Sequence, residues 1–168
     1  MNKMNKSFSI LNCKPIEAPR PPPETNGFKK YVCGYLTFMG QQGVVRWKVP
    51  HILLVQKNRP TWQAGKWNGI GGKIEDGETS AQAMKREFME EAALCVENWN
   101  CFGEIRGSDY VVYLYRTHID CIAGYSSTTD EIISSWPIDG LPKNLVHTNE
   151  FVIPLALQTQ IKYSIFET

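Results

Sequence analysis

The sequence has no CxxC pair, no long hydrophobic run and almost no net charge, and each absence removes a class of protein. Without closely paired cysteines there is no basis for a structural zinc site. The five cysteines, Cys13, Cys33, Cys95, Cys101 and Cys121, are odd in number and widely spaced. That pattern fits a reducing compartment better than a disulfide framework. The longest early apolar run, Phe8 to Leu11, is too brief for a signal peptide or a spanning helix. The expectation is therefore a cytoplasmic protein with no membrane partner. Eighteen basic residues stand against 17 acidic ones, a formal net charge of +1. No broad field draws the chain to nucleic acid, so stable nucleic-acid binding is not expected. Internal repeats are also missing.

What remains is ordinary globular material. A chain of 168 residues, 42% hydrophobic and 21% charged, suffices for one domain with a real core. Residues 1–26 differ from the rest. The segment KPIEAPRPPPETNG carries five of the ten prolines, a composition that favours extended polyproline and forbids helix. It reads as a tail or strap, with a docking site for a proline-binding module as the alternative. The domain proper is expected over 27–168. YVCGYLTFMG (31–40), VVRWKVPHILLVQK (44–57), WNCFGEIRG (99–107) and YVVYLYRTHIDCI (110–122) read as strands, with Pro50 at an edge or bulge and a turn at Gly107-Ser108-Asp109. Residues 79–93 are helical by pattern. GYSSTTDEI (124–132) reads as a polar loop, WPIDGLP (136–142) as turn-like, and 150–166 as a closing helix with Pro154 near its start. Strands that precede, interrupt and follow two helices predict an α/β fold with a mixed sheet covered by helices.

The chemistry concentrates at GGKIEDGETSAQAMKREFMEEAAL (71–94). At about 100° per residue, Ala81, Met84, Phe88, Ala92 and Cys95 form one apolar stripe. Glu87, Glu90 and Glu91 follow i, i+3, i+4 spacing and crowd a neighbouring face. Like charges so placed repel, and Lys85 and Arg86 offset only part of it. A hard divalent cation rationalises the cluster: Mg²⁺ takes oxygen ligands and completes its shell with water and phosphate. The Gly71-Gly72 step lets backbone approach a ligand closely. Gly77 and Glu78 form a further turn, and Thr79 or Ser80 caps the helix.

This stretch resembles the Nudix box, G-x5-E-x7-R-E-U-x-E-E-x-G-U with U a bulky apolar residue. Gly72, Glu78, Arg86-Glu87-Phe88, Glu90-Glu91 and Leu94 fill its positions in register; Ala93 stands where the family has its last glycine. Alanine there costs about 1 kcal/mol if the backbone needs a positive φ. The resemblance implies the α/β/α Nudix sandwich and hydrolysis of a nucleoside diphosphate linked to another group. It implies that Glu87, Glu90 and Glu91 bind Mg²⁺ or Mn²⁺, with backbone from Gly72. Arg86 then orients a catalytic glutamate by a salt bridge, and Glu78 supports the loop–helix junction beside Gly71.

Upstream, AGKWNGIGGK (64–73) resembles the loop of MutT-like enzymes that cleanse oxidised purine nucleoside triphosphates. On that likeness Asn68 reads the base and Trp62 stacks on it; packing beneath a loop is the competing reading for both. Trp67 reads as packing. Glu131 resembles a loop glutamate that assists the metal or acts as base. The subgroup's Trp and Asp pair before the last helix has no match, since Val146, His147, Thr148, Asn149 and Glu150 occupy that region; Asn149 or Thr148 remains able to hydrogen-bond a base edge. His147 reads as a surface residue. Lys73 and Arg59 are candidate phosphate contacts. The expected reaction is Mg²⁺-dependent hydrolysis of a nucleoside triphosphate, modified or deoxy, to monophosphate and pyrophosphate, by a monomer or homodimer. The alternatives are cleavage of ADP-ribose, a dinucleotide or a nucleotide sugar, a non-catalytic nucleotide-binding module, and RNA cap removal.

Overall fold

The computed structural model describes residues 27–42, 45–46, 48–122, 124–158 and 163–166. The proline-rich segment 1–26 lies outside the described residues. Runs of β-branched and aromatic residues form the long strands β1 (Lys29–Phe38) and β7 (Tyr110–Ile119), as their composition predicts, and β6 (Asn100–Arg106) lies beside β7. A small hairpin, β2 (Gln41–Gln42) and β3 (Val45–Arg46), leads to β4 (His51–Gln56), with Pro50 just before the strand. β5 (Trp67–Asn68) precedes α1 (Ser80–Ala92), and β8 (Ile132–Pro137), α2 (Asn149–Ala156) and β9 (Tyr163–Phe166) close the chain.

The main sheet runs β5-β4-β1-β7-β6-β9, with β8 also on β4. It is mixed: β1 pairs parallel with β7 and antiparallel with β4, and β6 pairs antiparallel with β7 and parallel with β9. Alternation along the central strands buries both faces. Val32, Leu36, Leu53 and Val55 pack with Met84, Phe88 and Ala92 of α1. Cys33, Tyr35, Ile52 and Leu54 pack on the other face with Val152, Ile153 and Ala156 of α2. This is the expected α/β/α sandwich. Gly34 gives Met84 its room, since a Cβ there would lie 2.7 Å from the methionine sulfur.

Three expectations need correction. The closing helix stops at Ala156, and residues 163–166 form β9 beside β6 from Gly103↔Tyr163 onward. Pairing at an open sheet edge outweighs the helical periodicity of that segment. The last residue of the polar loop, the first two of the turn-like stretch and the residues between them belong to β8, which runs antiparallel to β4 from Ile132↔Gln56 to Pro137↔His51. Pro137 ends that strand, where its missing N–H costs no ladder bond. On α1, Ala83 is buried and Ala81 exposed, and Cys95 lies exposed beyond the helix. The helix ends at Ala92 because Ala93 turns left-handed (φ 54°, ψ 34°), so the projected stripe cannot reach Cys95.

One irregularity of the sheet positions the site. β1 and β4 pair only at Thr37↔Ile52 and Phe38↔His51. The glycine loop takes β4's place alongside the first half of β1, through Val32 N–H to Gly72 O (2.9 Å), Gly34 N–H to Ile70 O (2.7 Å) and Ile74 N–H to Lys30 O (2.8 Å).

Candidate active site

Gly71 and Gly72 are glycines for reasons of space. A Cβ on Gly71 would lie 2.2 Å from the Val32 carbonyl oxygen, and one on Gly72 would lie 2.5 Å from the Glu87 carboxylate. The loop therefore lies directly against the acidic face of α1. The helix starts with Thr79 as N-cap, in a reciprocal capping box with Gln82.

Arg86 organises the junction. Its Nε and Nη2 donate to the two oxygens of Glu78, both at 2.9 Å. Its Nη1 donates to Glu87 (2.8 Å) and Glu90 (2.9 Å), and Nη2 also reaches the Lys73 carbonyl (2.9 Å). The guanidinium holds the Glu78 carboxyl below the usual carboxylate range, and Glu78 first, then Glu87 and Glu90, push the Arg86 pKa up. One planar fork thus ties loop, turn and helix together.

The three box glutamates divide by environment. Side chains of Glu87 and Glu91 are each 12% exposed, against 57% for Glu90. Burial raises the Glu87 carboxyl, with Arg86 opposing. Burial pushes Glu91 up to about 7; Glu87 and Glu131 add to the rise, while Lys57 and the Gly71 N–H oppose it. Glu91 Oε2 is buried with no hydrogen-bond partner. An unsatisfied carboxylate oxygen in such a position is costly.

Glu131 is not a solvated loop acid. It is 5% exposed, accepting from Lys57 Nζ (2.5 Å) and from Asn58 N–H (2.8 Å). Lys57 also pairs with Glu91 at 3.6 Å. Burial works against the lysine's charge, but Glu91 and Glu131 outweigh it and raise its pKa. Lys57 is the site residue the sequence reading missed. It stands just past β4, and its partner Glu131 is 74 positions away, so no local pattern marks it. The loop carrying Glu131 is itself fastened to the end of α1. Thr128 N–H donates to Glu91 O (3.3 Å), Ser126 N–H to Ala92 O (3.2 Å), and the Thr128 hydroxyl to Glu90 O.

Among the described residues, no three acidic, histidine or cysteine side chains are gathered as a ready-made metal cage. The donor set nonetheless fits a hard cation. Mg²⁺ is commonly held by one or two carboxylates plus substrate phosphates and water. Two half-buried carboxylates beside a glycine backbone, one with a free oxygen, meet that requirement.

Next to these acids lies a cavity of about 490 Å³. Its lining includes Gly71, Gly72 and Lys57 together with Trp62, Gln63, Asn68 and Thr148. The glutamates are reached through Gly72, which abuts Glu87, and Lys57, which pairs with Glu91. Trp62 is 61% exposed at the cavity wall, as a stacking platform would be, while Trp67 is buried edge-to-face on Trp136. Asn149 is fully buried and does not line the cavity; its side chain bonds Asn68, Tyr35 and the Trp67 carbonyl, so it bears on the cavity only through Asn68. Arg59 lines the wall and pairs with Asp130 at 3.6 Å. The Lys73 side chain is exposed and off the cavity wall, and His147 lies on the surface.

The four described cysteines are free thiols. No described helix is long and apolar enough to cross a membrane.

A model of the NUDIX domain matches residues 40–150. Oxidized purine nucleoside triphosphate hydrolase of Danio rerio is 34% identical over 113 residues, spanning 64% of this chain and 72% of the relative. The protein of the same name from Mus musculus is 30% identical over 115 residues, spanning 65% and 74%. A solved MutT NUDIX hydrolase from Burkholderia pseudomallei has a TM-score of 0.55 at 22% identity, covering 76% of this chain and 98% of that one, a likeness of fold. With the family model spanning residues 40–150, the stretch that holds the glycine loop and the acidic helix, the chain belongs to the NUDIX family and is a Nudix hydrolase.

Proposed function

We propose that the chain is a cytoplasmic pyrophosphohydrolase of nucleoside triphosphates, modified or deoxy ones included, that works with Mg²⁺ or Mn²⁺ and releases monophosphate and pyrophosphate. The observation that carries this reading is the partnerless Glu91 oxygen behind Gly71-Gly72, next to a cavity that also holds Trp62 and Asn68. Relatives named as oxidized purine nucleoside triphosphate hydrolases support the substrate class.

Glu87, Glu90 and Glu91 would hold the cation, with Gly72 backbone and Glu131 contributing. When bound, it supplies charge neutralisation at phosphate oxygens and lowers the pKa of water. Proton acceptance from the attacking water belongs to the Glu91–Lys57–Glu131 group, whose ammonium holds both carboxylates in line. Arg86 is a positioning residue: it orients Glu87 and Glu90, with Glu78 fixing its far edge. Trp62 stacks on the base, for about 1–3 kcal/mol. Asn68 bonds the base edge, supported from beneath by Asn149. Arg59, on the cavity wall, contacts phosphate, while Lys73 stands off it.

The test is product analysis over a panel of ribo- and deoxynucleoside triphosphates and ADP-ribose, with Mg²⁺ and with EDTA. Equimolar monophosphate and pyrophosphate, abolished by EDTA and at least about 100-fold reduced in a folded Glu91→Gln, is the expected result. Faster AMP release from ADP-ribose, or nucleotide binding without turnover, would overturn it.

A further inference from the structure

The hydrogen bonds around Asn68 have a direction. An amide side chain can be turned either way, so its polarity is set by partners that can only donate or only accept. Two backbone groups provide such anchors. The Trp67 carbonyl, an acceptor only, lies 3.3 Å from Asn149 Nδ2, which fixes that nitrogen as the donor. The Gly69 N–H, a donor only, lies 2.8 Å from Asn68 Oδ1, which fixes that oxygen as the acceptor. The two amides then join in the one sense both anchors permit, Asn149 Nδ2 donating to Asn68 Oδ1 at 2.9 Å. Tyr35 completes the set by donating its hydroxyl to Asn149 Oδ1 at 2.6 Å. Its burial pushes the phenol well above its ordinary range, so it stays a neutral donor. Every polar atom of Asn149, itself fully buried, is committed.

One end of this relay is left over. Asn68 Nδ2 meets the Gln63 Oε1 carbonyl at 3.3 Å, and both residues line the cavity. The Gln63 oxygen stands in for what a ligand would bring to that position: a carbonyl oxygen accepting a hydrogen bond.

We infer that the Gly69 N–H and Asn149 together hold Asn68 with its amide nitrogen toward the cavity, so that the site prefers nucleobases carrying a ring carbonyl over those carrying an exocyclic amine at the edge Asn68 meets. This rests on the nucleotide reading of the cavity proposed above, but not on hydrolysis. An amine would set donor against donor and leave the Asn68 nitrogen only the long bond to Gln63 that it already has, a loss that corresponds to about tenfold in affinity. Asn149 is here a positioning residue, since it acts on the ligand only through Asn68.

The experiment measures dissociation constants of nucleoside monophosphates, which carry no anhydride to cleave, by quenching of tryptophan fluorescence. The pairs are inosine against adenosine monophosphate and uridine against cytidine monophosphate, each differing in carbonyl against amine. Wild type should favour the carbonyl member of each pair by about tenfold. Asn68→Asp keeps the shape but offers only acceptors, and should invert the ratio. Asn149→Leu removes one of the two donors on Asn68 Oδ1 and should shrink the ratio while the Gly69 N–H keeps its direction, whereas a merely structural role would weaken both members equally and leave the ratio intact. If the buried Asn149→Leu change does not fold, Asn68→Asp on the cavity wall still decides. An unchanged ratio in Asn68→Asp, or a wild-type preference for the amine, would overturn the inference. Inverted binding in a protein that releases no pyrophosphate would keep it and sink the hydrolytic reading instead.

Discussion

Ala93 and Glu91, two residues apart, are each under a local strain of a different kind. Ala93 holds a left-handed backbone (φ 54°), where an L side chain costs roughly 1 kcal/mol relative to glycine. Ala93→Gly should therefore raise the melting temperature by about 2–4 °C with turnover unchanged, since the residue brings no group to the site. Glu91 is strained electrostatically. Its folded pKa of about 7 exceeds the ordinary carboxyl value of 4.5, so the folded state takes up the proton first as pH falls. Its contribution to stability is complete below the unfolded value and lost as pH rises through about 7. In EDTA, the wild-type melting temperature should climb from about pH 8 to pH 5 more than that of Glu91→Gln, by several degrees. Parallel thermal curves would refute the burial argument. Residue identities made most of this legible in advance: the box spacing names Glu78, Arg86, Glu87, Glu90 and Glu91, and its mismatch at Ala93 flagged the backbone position that turns out to need positive φ.

At the scale of elements, the junction of glycine loop and α1 depends on one guanidinium with bonds to three carboxylates and a carbonyl. Lysine keeps the charge but loses the planar fork. Arg86→Lys should cut kcat about 10–100-fold and lower metal affinity, read by Mn²⁺ titration, with KM changed less. Equal activity in the lysine variant would show that charge alone suffices. This assembly was readable because a helix converts i, i+3, i+4 spacing into geometry. The Lys57 bridge was not, because it joins the end of β4 to a loop 74 residues away. Nor was the Tyr35–Asn149 bond, which spans 114 residues and depends on the α2 face of the sheet closing over β1. Elements whose identity is decided by pairing were the hardest: β8 and β9 are short, and their partners β4 and β6, rather than their own patterns, make them strands.

For the whole molecule, the sandwich buries two apolar faces yet leaves a charged pocket where β1 and β4 part company. The fold spends stability there chiefly by burying the Glu91 carboxylate away from water, and further by setting it near Glu87 and Glu131. Ligand binding should return it. Mg²⁺ with a non-hydrolysable triphosphate at 100 times its dissociation constant adds about 2.7 kcal/mol. For a chain of this length that corresponds to a rise of about 5–10 °C in melting temperature. Glu91→Gln should lose most of the rise, as should the wild type in EDTA.

The contacts of Ser126 and Thr128 with the last carbonyls of α1 give the segment before β8 a second duty. Besides delivering Glu131, it stitches that carboxylate's position to the helix end bearing Glu90 and Glu91. Surface loops usually absorb an added residue without harm. Here a single insertion between Thr128 and Glu131 would throw the two halves of the acidic site out of step, leaving the sandwich whole and its chemistry unseated.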